Sequence, residues 1–150
     1  WQTGKIYFEN AISAIAEAGE LPMLHVTDFI SDMATAYQAA DLIISRAGAG
    51  SISELCLLGK PVILVPSPNV AEDHQTKNAL ALVNKNAALY VKDENAKDKL
   101  INKAIETVCQ MDLLENLSKN IAKLAFTDSA NVIAAEVIKA AKKYKNEHGC

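Results

Sequence analysis

The sequence predicts an α/β fold in which a doubly wound, Rossmann-like parallel sheet carries helices on both faces. Three observations favour this class. Helical periodicity alternates with short apolar segments along most of the chain. The segments 42–44 and 62–65 contain no polar residue, as expected of parallel strands that are buried on both faces. Loops rich in glycine or proline follow both segments, and such sheets bind their ligands at loops of this kind.

The composition fits one folded domain and excludes several other classes of protein. Of 150 residues, 50% are hydrophobic and 22% charged, which excludes a disordered or collagen-like chain. The net charge is −3 without a basic block in the body of the chain, so we expect no nucleic-acid partner. The longest apolar runs are strand-sized, so no segment is expected to span a membrane. Three cysteines without metal-type spacing favour a reducing compartment, and the missing initial Met favours a piece of a longer protein.

The first forty residues are predicted to form two helices and one short strand. Apolar residues recur at helical spacing over 5–18, and Gly19 is a typical helix stop. Residues 23–27 are a strand candidate that includes His25. Ser31 is then the expected N-cap of a helix that runs to about residue 40.

The middle of the chain alternates between strand and helix. Residues 42–44 are predicted to be a short buried strand, and a helix over 51–58 ends at Gly59. Residues 61–65 are the clearest strand of the chain. The proline at residue 61 is compatible with this prediction, because proline is tolerated at the first position of a strand.

The remainder is predicted to be mostly helical. A helix over 74–85 places Leu80 and Val83 inward, and residues 88–91 form a short strand. Three further helices are expected, over residues 94–109, 112–125 and 129–145.

The loop after Ile44 is the most informative segment of the chain. It reads SRAGAGSISE over 45–54, so small residues lead directly from a strand into a helix. A phosphate at such a helix start meets unpaired N–H groups and the positive end of the helix dipole. No Lys follows the glycines, and a third glycine is missing, so neither a Walker loop nor a dinucleotide fingerprint is present. A tight turn without any ligand is the open alternative.

Three side chains around this loop each have two interpretations. Ser51 can add a hydroxyl to a phosphate site, or it can form a capping box with Glu54. Glu54 can instead accept both hydroxyls of a ribose. Arg46 can pair with a phosphate or with a neighbouring carboxylate.

The loop after Val65 is polar and stiffened by prolines. Asp73 is a candidate cap of the following helix, and His74 and Asn78 share one face of it beside Gln75. These groups can contact a sugar, or they can be an ordinary solvated helix start. His74 is a poor candidate for a general base because no nucleophile or second titratable group is placed to pair with it. No cluster has metal-ligand spacing, so no protein-held metal is expected.

Three runs carry a resemblance to a known family. They read ADLIISRAGAGSISEL at 40–55, GKPVILVP at 59–66 and DHQTKNA at 73–79. In this order they resemble the MurG family of bacterial glycosyltransferases, glycosyltransferase family 28. The segments 1–4 and 26–33 also fit the C-terminal half of these enzymes.

The resemblance implies a GT-B arrangement, in which two Rossmann-like domains face a cleft. Residues 1–150 would then be a single, truncated C-terminal domain that binds the UDP-sugar donor, and the N-terminal acceptor domain would be absent. The implied reaction is an inverting hexosyl transfer of N-acetylglucosamine (GlcNAc) from UDP-GlcNAc to lipid I, which yields lipid II in peptidoglycan synthesis and so serves cell division and cell shape. No cofactor is implied, and the fragment alone is expected to be inactive.

The resemblance also implies where the full enzyme acts. It would be a cytoplasmic protein, peripheral on the inner face of the bacterial inner membrane. The missing domain would supply the catalytic base, contact lipid I and make most of the membrane contact.

The resemblance assigns donor-binding roles to residues on each predicted loop. The backbone around Phe29 and Ile30 would hold the uracil, with Met33 nearby, and Arg46 lies beside the phosphate loop. The diphosphate would be bound by Gly48, Ala49, Gly50 and Ser51. Glu54 would bind the ribose, and the sugar would be bound by His74, Gln75 and Asn78.

Some positions depart from the family. A Gln pair is common where this chain has His74 and Gln75, and a bulkier residue and Thr occur at the positions of Gly50 and Ser51. The second change should keep the phosphate site and alter its shape.

Three alternatives remain. The chain could belong to another UDP-sugar GT-B enzyme, such as a glycolipid transferase or a UDP-sugar epimerase. It could be a non-catalytic module that binds a nucleotide or a partner. It could also bind a membrane surface through the basic end of its last helix, formed by Lys139, Lys142, Lys143 and Lys145.

Overall fold

A computed structural model describes residues 1–19, 21–69 and 73–148, with side chains through residue 145. The chain forms two compact units, Trp1–Ala40 and Asp41–Cys150.

The described part of the first unit contains the helices α1 (Lys5–Ala18) and α2 (Met33–Ala39). The bounds predicted for α1 are confirmed. The strand predicted at 23–27 is wrong, because among the described residues this segment forms an isolated parallel bridge, between Thr27 and Gln2, and no strand. Gly4 follows with φ 74°, a backbone conformation that favours glycine, and the chain turns there directly into α1.

Asp32, and not Ser31, caps α2. The Thr35 backbone N–H donates to Asp32 Oδ1 at 3.0 Å, and the Thr35 hydroxyl donates to Oδ2 at 2.7 Å. These two donors lower the pKa of the Asp32 carboxyl below its usual range. The predicted cap was one residue early because both residues are good N-caps, and only Asp32 directly precedes the first helical residue.

The second unit is built on three parallel strands in the order β1 (Ile43–Ser45), β2 (Val62–Leu64) and β3 (Leu89–Tyr90). Ile44 of β1 aligns with Ile63 of β2, and Leu64 of β2 aligns with Tyr90 of β3. All three residues of β2 are buried. The prediction of a parallel α/β sheet is confirmed.

The helices described in this unit are α3 (Ala49–Leu58), α4 (His74–Val83), α5 (Asp93–Val108), α6 (Met111–Ala122) and α7 (Ser129–His148). The predicted end of α3 is confirmed. Gly59 caps it with φ 63°, and its N–H donates to the carbonyls of Leu55 and Cys56. An added Cβ at Gly59 would lie 3.3 Å from the Ala122 Cβ, and the Ser118 hydroxyl donates to the Gly59 carbonyl at 2.6 Å. α6 therefore packs directly against this turn.

The face that α4 turns inward differs from the prediction. Leu80 is 40% exposed, whereas Ala79 and Leu82 are buried. Ala79 and Leu82 lie one helical turn from each other and share a face with Gln75. The polar contacts of Gln75, described below, fix this face toward the sheet and leave Leu80 outside.

The described helices include none with the length and apolar character needed to cross a bilayer. The same part of the chain contains no group of three or more His, Cys, Asp and Glu side chains that could hold a metal ion.

Candidate functional site

Arg46 connects the loops at the carboxyl edge of the three strands. Its Nη1 donates to the Val65 carbonyl at 3.2 Å and to the Pro66 carbonyl at 3.3 Å, both directly after β2. The same Nη1 forms an ion pair with Asp93, the first residue of α5 after β3. The carboxylate interpretation of Arg46 is therefore realised, and its phosphate role stays a prediction.

Gln75 joins the loop after β1 to the loop after β2. Its Oε1 accepts from the N–H of Ala47 at 3.2 Å and from the N–H of Ser67 at 2.9 Å. Asn78 lies on the same helix, and its Nδ2 donates to the Ala47 carbonyl at 3.2 Å. Ala47 is fully buried, so these bonds satisfy both backbone groups of a residue that water does not reach.

Sequence reasoning assigned Gln75 and Asn78 to the sugar and missed this supporting role. The signal in the sequence is helical spacing, which puts Gln75 and Asn78 on one face of the helix with the apolar residue Leu82. An amide on a buried helix face needs a polar partner, and a neighbouring loop backbone is a common one.

The start of α3 presents free backbone donors. Gly48 is the N-cap, and the first helical bond runs from the Ile52 N–H to the Gly48 carbonyl at 2.9 Å. Within the described chain no side chain caps this end. The N–H groups of residues 49–51 precede the first helical bond and point out of the helix end.

The capping box predicted for Ser51 and Glu54 is wrong. The helix begins two residues earlier than predicted, so Ser51 is its third residue and does not occupy the N-cap. Ser51 is partly buried, and Glu54 is exposed one turn further along. The opposite side of this helix is buried through Leu55 and Cys56. Cys56 is buried in the core, which confirms it as a packed, apolar residue, and this burial raises the pKa of its thiol.

Neither backbone conformation nor packing within the described chain requires glycine at positions 48 and 50 of this loop. Gly48 has φ −67°, which any residue adopts, and an added Cβ there would lie 3.8 Å from the Ser51 Oγ. A Cβ at Gly50 would meet nothing within 4 Å. Small residues where neither conformation nor packing demands them are consistent with the approach of another molecule to the backbone.

The start of α4 differs from the prediction in one respect. Asp73 occupies the predicted N-cap position with φ 55°, but its side chain does not make the hydrogen bond of a cap. A left-handed backbone does not match the extended conformation from which N-cap side chains reach the helix amides. His74 is exposed at the first helical position. Residues 70–72 of the preceding loop lie outside the described part of the chain.

The base-binding residues predicted in the first unit have internal partners. The Ile30 N–H donates to Gln2 Oε1 at 2.9 Å. The Phe29 N–H donates to Thr27 Oγ1 at 3.3 Å, and the Thr27 hydroxyl donates to the Phe29 carbonyl at 2.9 Å. The Phe29 residue is 66% exposed, and Met33 is partly buried at the first position of α2.

Known proteins show a close likeness over the whole chain. The UDP-N-acetylglucosamine–N-acetylmuramyl-(pentapeptide) pyrophosphoryl-undecaprenol N-acetylglucosamine transferase of Phocaeicola vulgatus is 78% identical over 149 residues, which are 99% of this chain and 40% of the relative. The enzyme of the same name from Bacteroides fragilis is 68% identical over 143 residues, or 95% of this chain and 38% of the relative. The chain thus spans about 40% of the length of these relatives.

A solved structure and a family description agree with these relatives. The crystal structure of Acinetobacter baumannii MurG superposes with a TM-score of 0.79 at 30% identity, over 92% of this chain and 40% of that one. The family described as the glycosyltransferase family 28 C-terminal domain matches residues 1–133. The chain therefore belongs to glycosyltransferase family 28, through the C-terminal domain of that family.

Proposed function

We propose that residues 1–150 form the C-terminal donor-binding domain of an inverting glycosyltransferase. The complete enzyme transfers GlcNAc from UDP-GlcNAc to lipid I and produces lipid II for peptidoglycan. The relatives from Phocaeicola and Bacteroides carry names that specify a GlcNAc transferase and an undecaprenyl pyrophosphoryl acceptor. The observation that carries the proposal is the uncapped start of α3, where small residues leave backbone N–H groups accessible at the carboxyl edge of the sheet.

The start of α3 is the proposed diphosphate site. The N–H groups of residues 48–51 supply donors, the Ser51 hydroxyl adds another, and the helix dipole favours negative charge there. Arg46 brings a guanidinium to the same loop, although Asp93 neutralises part of its charge. Arg46 in this proposal mainly holds the loops in place and adds a weaker attraction for phosphate.

The remaining donor contacts are proposed from side chains with defined positions. Glu54 is exposed one turn after the phosphate loop, and its two oxygens accept the ribose hydroxyls. Gln75 has Oε1 committed to two backbone amides, so Nε2 is the atom that donates to the sugar. His74 and Asn78 lie beside it, on the same helix. The backbone of Phe29 and Ile30 holds the uracil, and Met33 packs near it.

In the proposed reaction this chain stabilises the leaving group, UDP, and the N-terminal domain activates the nucleophile. An acceptor hydroxyl loses its proton to a base supplied by the N-terminal domain and attacks the anomeric carbon. The bond from that carbon to the diphosphate oxygen breaks, and UDP departs with the electron pair. The backbone N–H groups at the start of α3 stabilise the charge that develops on this oxygen. Lipid I and the cytoplasmic face of the inner membrane are contacted mainly through the N-terminal domain.

The proposal is tested by titrating the chain with UDP-GlcNAc and following backbone amides by NMR. Shifts are expected at residues 48–51 and at Glu54. Glu54→Ala is expected to weaken binding about tenfold by removing two hydrogen bonds to the ribose. Glu115→Ala is the matched control, because Glu115 is an exposed carboxylate on α6 paired with Lys119, and it should leave binding unchanged. Unchanged amides at millimolar UDP-GlcNAc would contradict the proposal.

A further inference from the structure

The side chain of Gln2 occupies a backbone group that the proposed function assigns to the nucleobase. Gln2 is exposed, and its Oε1 accepts from the Ile30 N–H at 2.9 Å. The two residues are far apart in sequence and adjacent in the first unit because residues 1–4 run beside residues 27–28. The Thr3 N–H donates to the Thr27 carbonyl at 3.0 Å, and the Thr27 N–H donates to the Trp1 carbonyl at 2.9 Å.

The backbone around Ile30 does not need Gln2 to keep its shape. The Thr27 hydroxyl already bridges the N–H and the carbonyl of Phe29. The Gly4 N–H donates to the Asp28 carbonyl at 3.1 Å, so the start of the chain is also held without the Gln2 side chain. The hydrogen bond from Ile30 to Gln2 is therefore an addition to a segment that is fixed by other contacts.

The chemistry of a carboxamide matches the edge of a uracil. A glutamine side chain presents one carbonyl oxygen and N–H donors on the same carbon, and uracil presents a carbonyl oxygen next to a ring N–H. A backbone N–H makes one strong, linear hydrogen bond at a time. A uracil oxygen and Gln2 Oε1 therefore compete for the Ile30 N–H.

We propose that Gln2 is a placeholder for the base, occupying the Ile30 N–H in the free chain and leaving it when uridine nucleotides bind. This inference rests on the proposed function, in which the backbone at Phe29 and Ile30 receives the uracil. Gln2 thereby lowers the affinity for the nucleotide, because the competent state is only part of the free population. The Ile30 N–H thereby has a hydrogen-bond acceptor in both states, Gln2 in the free chain and the uracil in the complex.

Removing the placeholder is expected to strengthen nucleotide binding. Gln2→Met keeps the length of the side chain and removes its acceptor, and Gln2→Ala removes both. Each variant should lower the Kd for UDP about two- to tenfold, the range expected for the loss of one competing neutral hydrogen bond. Gln110→Met is the matched control, because Gln110 is also exposed and donates through Nε2 to the Glu106 carbonyl. It should leave the Kd unchanged.

The test is an amide-detected NMR titration of the full chain and these variants with UDP. In the unmodified chain, UDP is expected to shift both the Ile30 amide and the side-chain NH2 of Gln2. A Kd that stays the same or rises in both Gln2 variants overturns the inference. Shifts at residues 48–51 without a shift at Ile30 overturn it and leave the donor site intact. An absence of shifts at either place contradicts the inference and the proposed function together.

Discussion

Arg46 and Asp93 form an ion pair that ties the loop after β1 to the first residue of α5. The same guanidinium donates to two carbonyls directly after β2. Arg46 itself follows β1 and Asp93 follows β3, so this one side chain connects the segments after all three strands. The arrangement holds the loop after β1 in a fixed position relative to the rest of the sheet edge.

Arg46→Met should destabilise the second unit more than Asp93→Asn. The first change leaves the Val65 and Pro66 carbonyls without their donor and should cost about 1–2 kcal/mol. The second removes a partly exposed ion pair and should cost less than about 1 kcal/mol, since Arg46 keeps its carbonyl partners. Urea denaturation followed by circular dichroism measures both. Equal losses in the two variants would show that the carbonyl bonds do not contribute.

Gly48→Ala should separate ligand binding from folding. Because φ at Gly48 is ordinary and the added Cβ has space, stability should fall by less than about 1 kcal/mol. The Kd for UDP-GlcNAc should rise about tenfold as the methyl group meets the diphosphate. Ser53→Ala is the control, because Ser53 is an exposed residue of the same helix outside residues 48–51, and it should leave the Kd unchanged. An unchanged Kd in Gly48→Ala would contradict diphosphate binding at Gly48 and would favour a tight turn without a ligand.

Gln75→Leu should loosen both loops at once. The change leaves the buried Ala47 N–H and the Ser67 N–H without an acceptor, at a cost of about 1–3 kcal/mol. Gln75→Glu keeps an acceptor and should restore much of the loss. Hydrogen exchange of the Ala47 and Ser67 amides reports the change directly. Protection that survives in Gln75→Leu would rule out the double acceptor.

Acid should loosen the start of α2 through Asp32. The folded pKa of this carboxyl lies below its ordinary value of 3.8, so its contribution to stability is present above that value. The contribution disappears as the pH falls through the folded pKa, because the protonated acid accepts more weakly from Thr35. Exchange of the Thr35 amide, corrected for its intrinsic pH dependence, should rise below pH 4. Asp32→Asn should show less of this pH dependence, and an identical profile in that variant would exclude Asp32 as the cause.

The sequence contained most of the fold because local rules determined it. Gly59 is a typical C-cap and adopts the expected left-handed conformation. The apolar segment around Ile63 became the central buried strand. Helix positions were less accurate where two good candidates were adjacent, as at Ser31 and Asp32, since local preference does not distinguish them.

The site was only partly accessible from the sequence because its contacts are long-range. The sequence singled out the loop after β1 as a candidate site, but spacing could not show that Gln75 supports this loop from another helix. The same is true of Gln2, whose acceptor contact with Ile30 depends on two distant segments lying side by side. Hydrogen bonds of this kind become visible only when the tertiary structure is known.

The shared oxygen of Gln75 has a consequence for the kinetics of ligand capture. It accepts from the amides of Ala47 and Ser67, which are well separated in sequence, so the backbone at both residues is held in place when the chain folds. A ligand that arrives at a preorganised site does not have to restrain these residues, and it avoids that entropy loss. Under the proposed function, encounter and not loop rearrangement therefore sets the association rate at the phosphate loop, and differences in affinity between donors arise mainly from their dissociation rates.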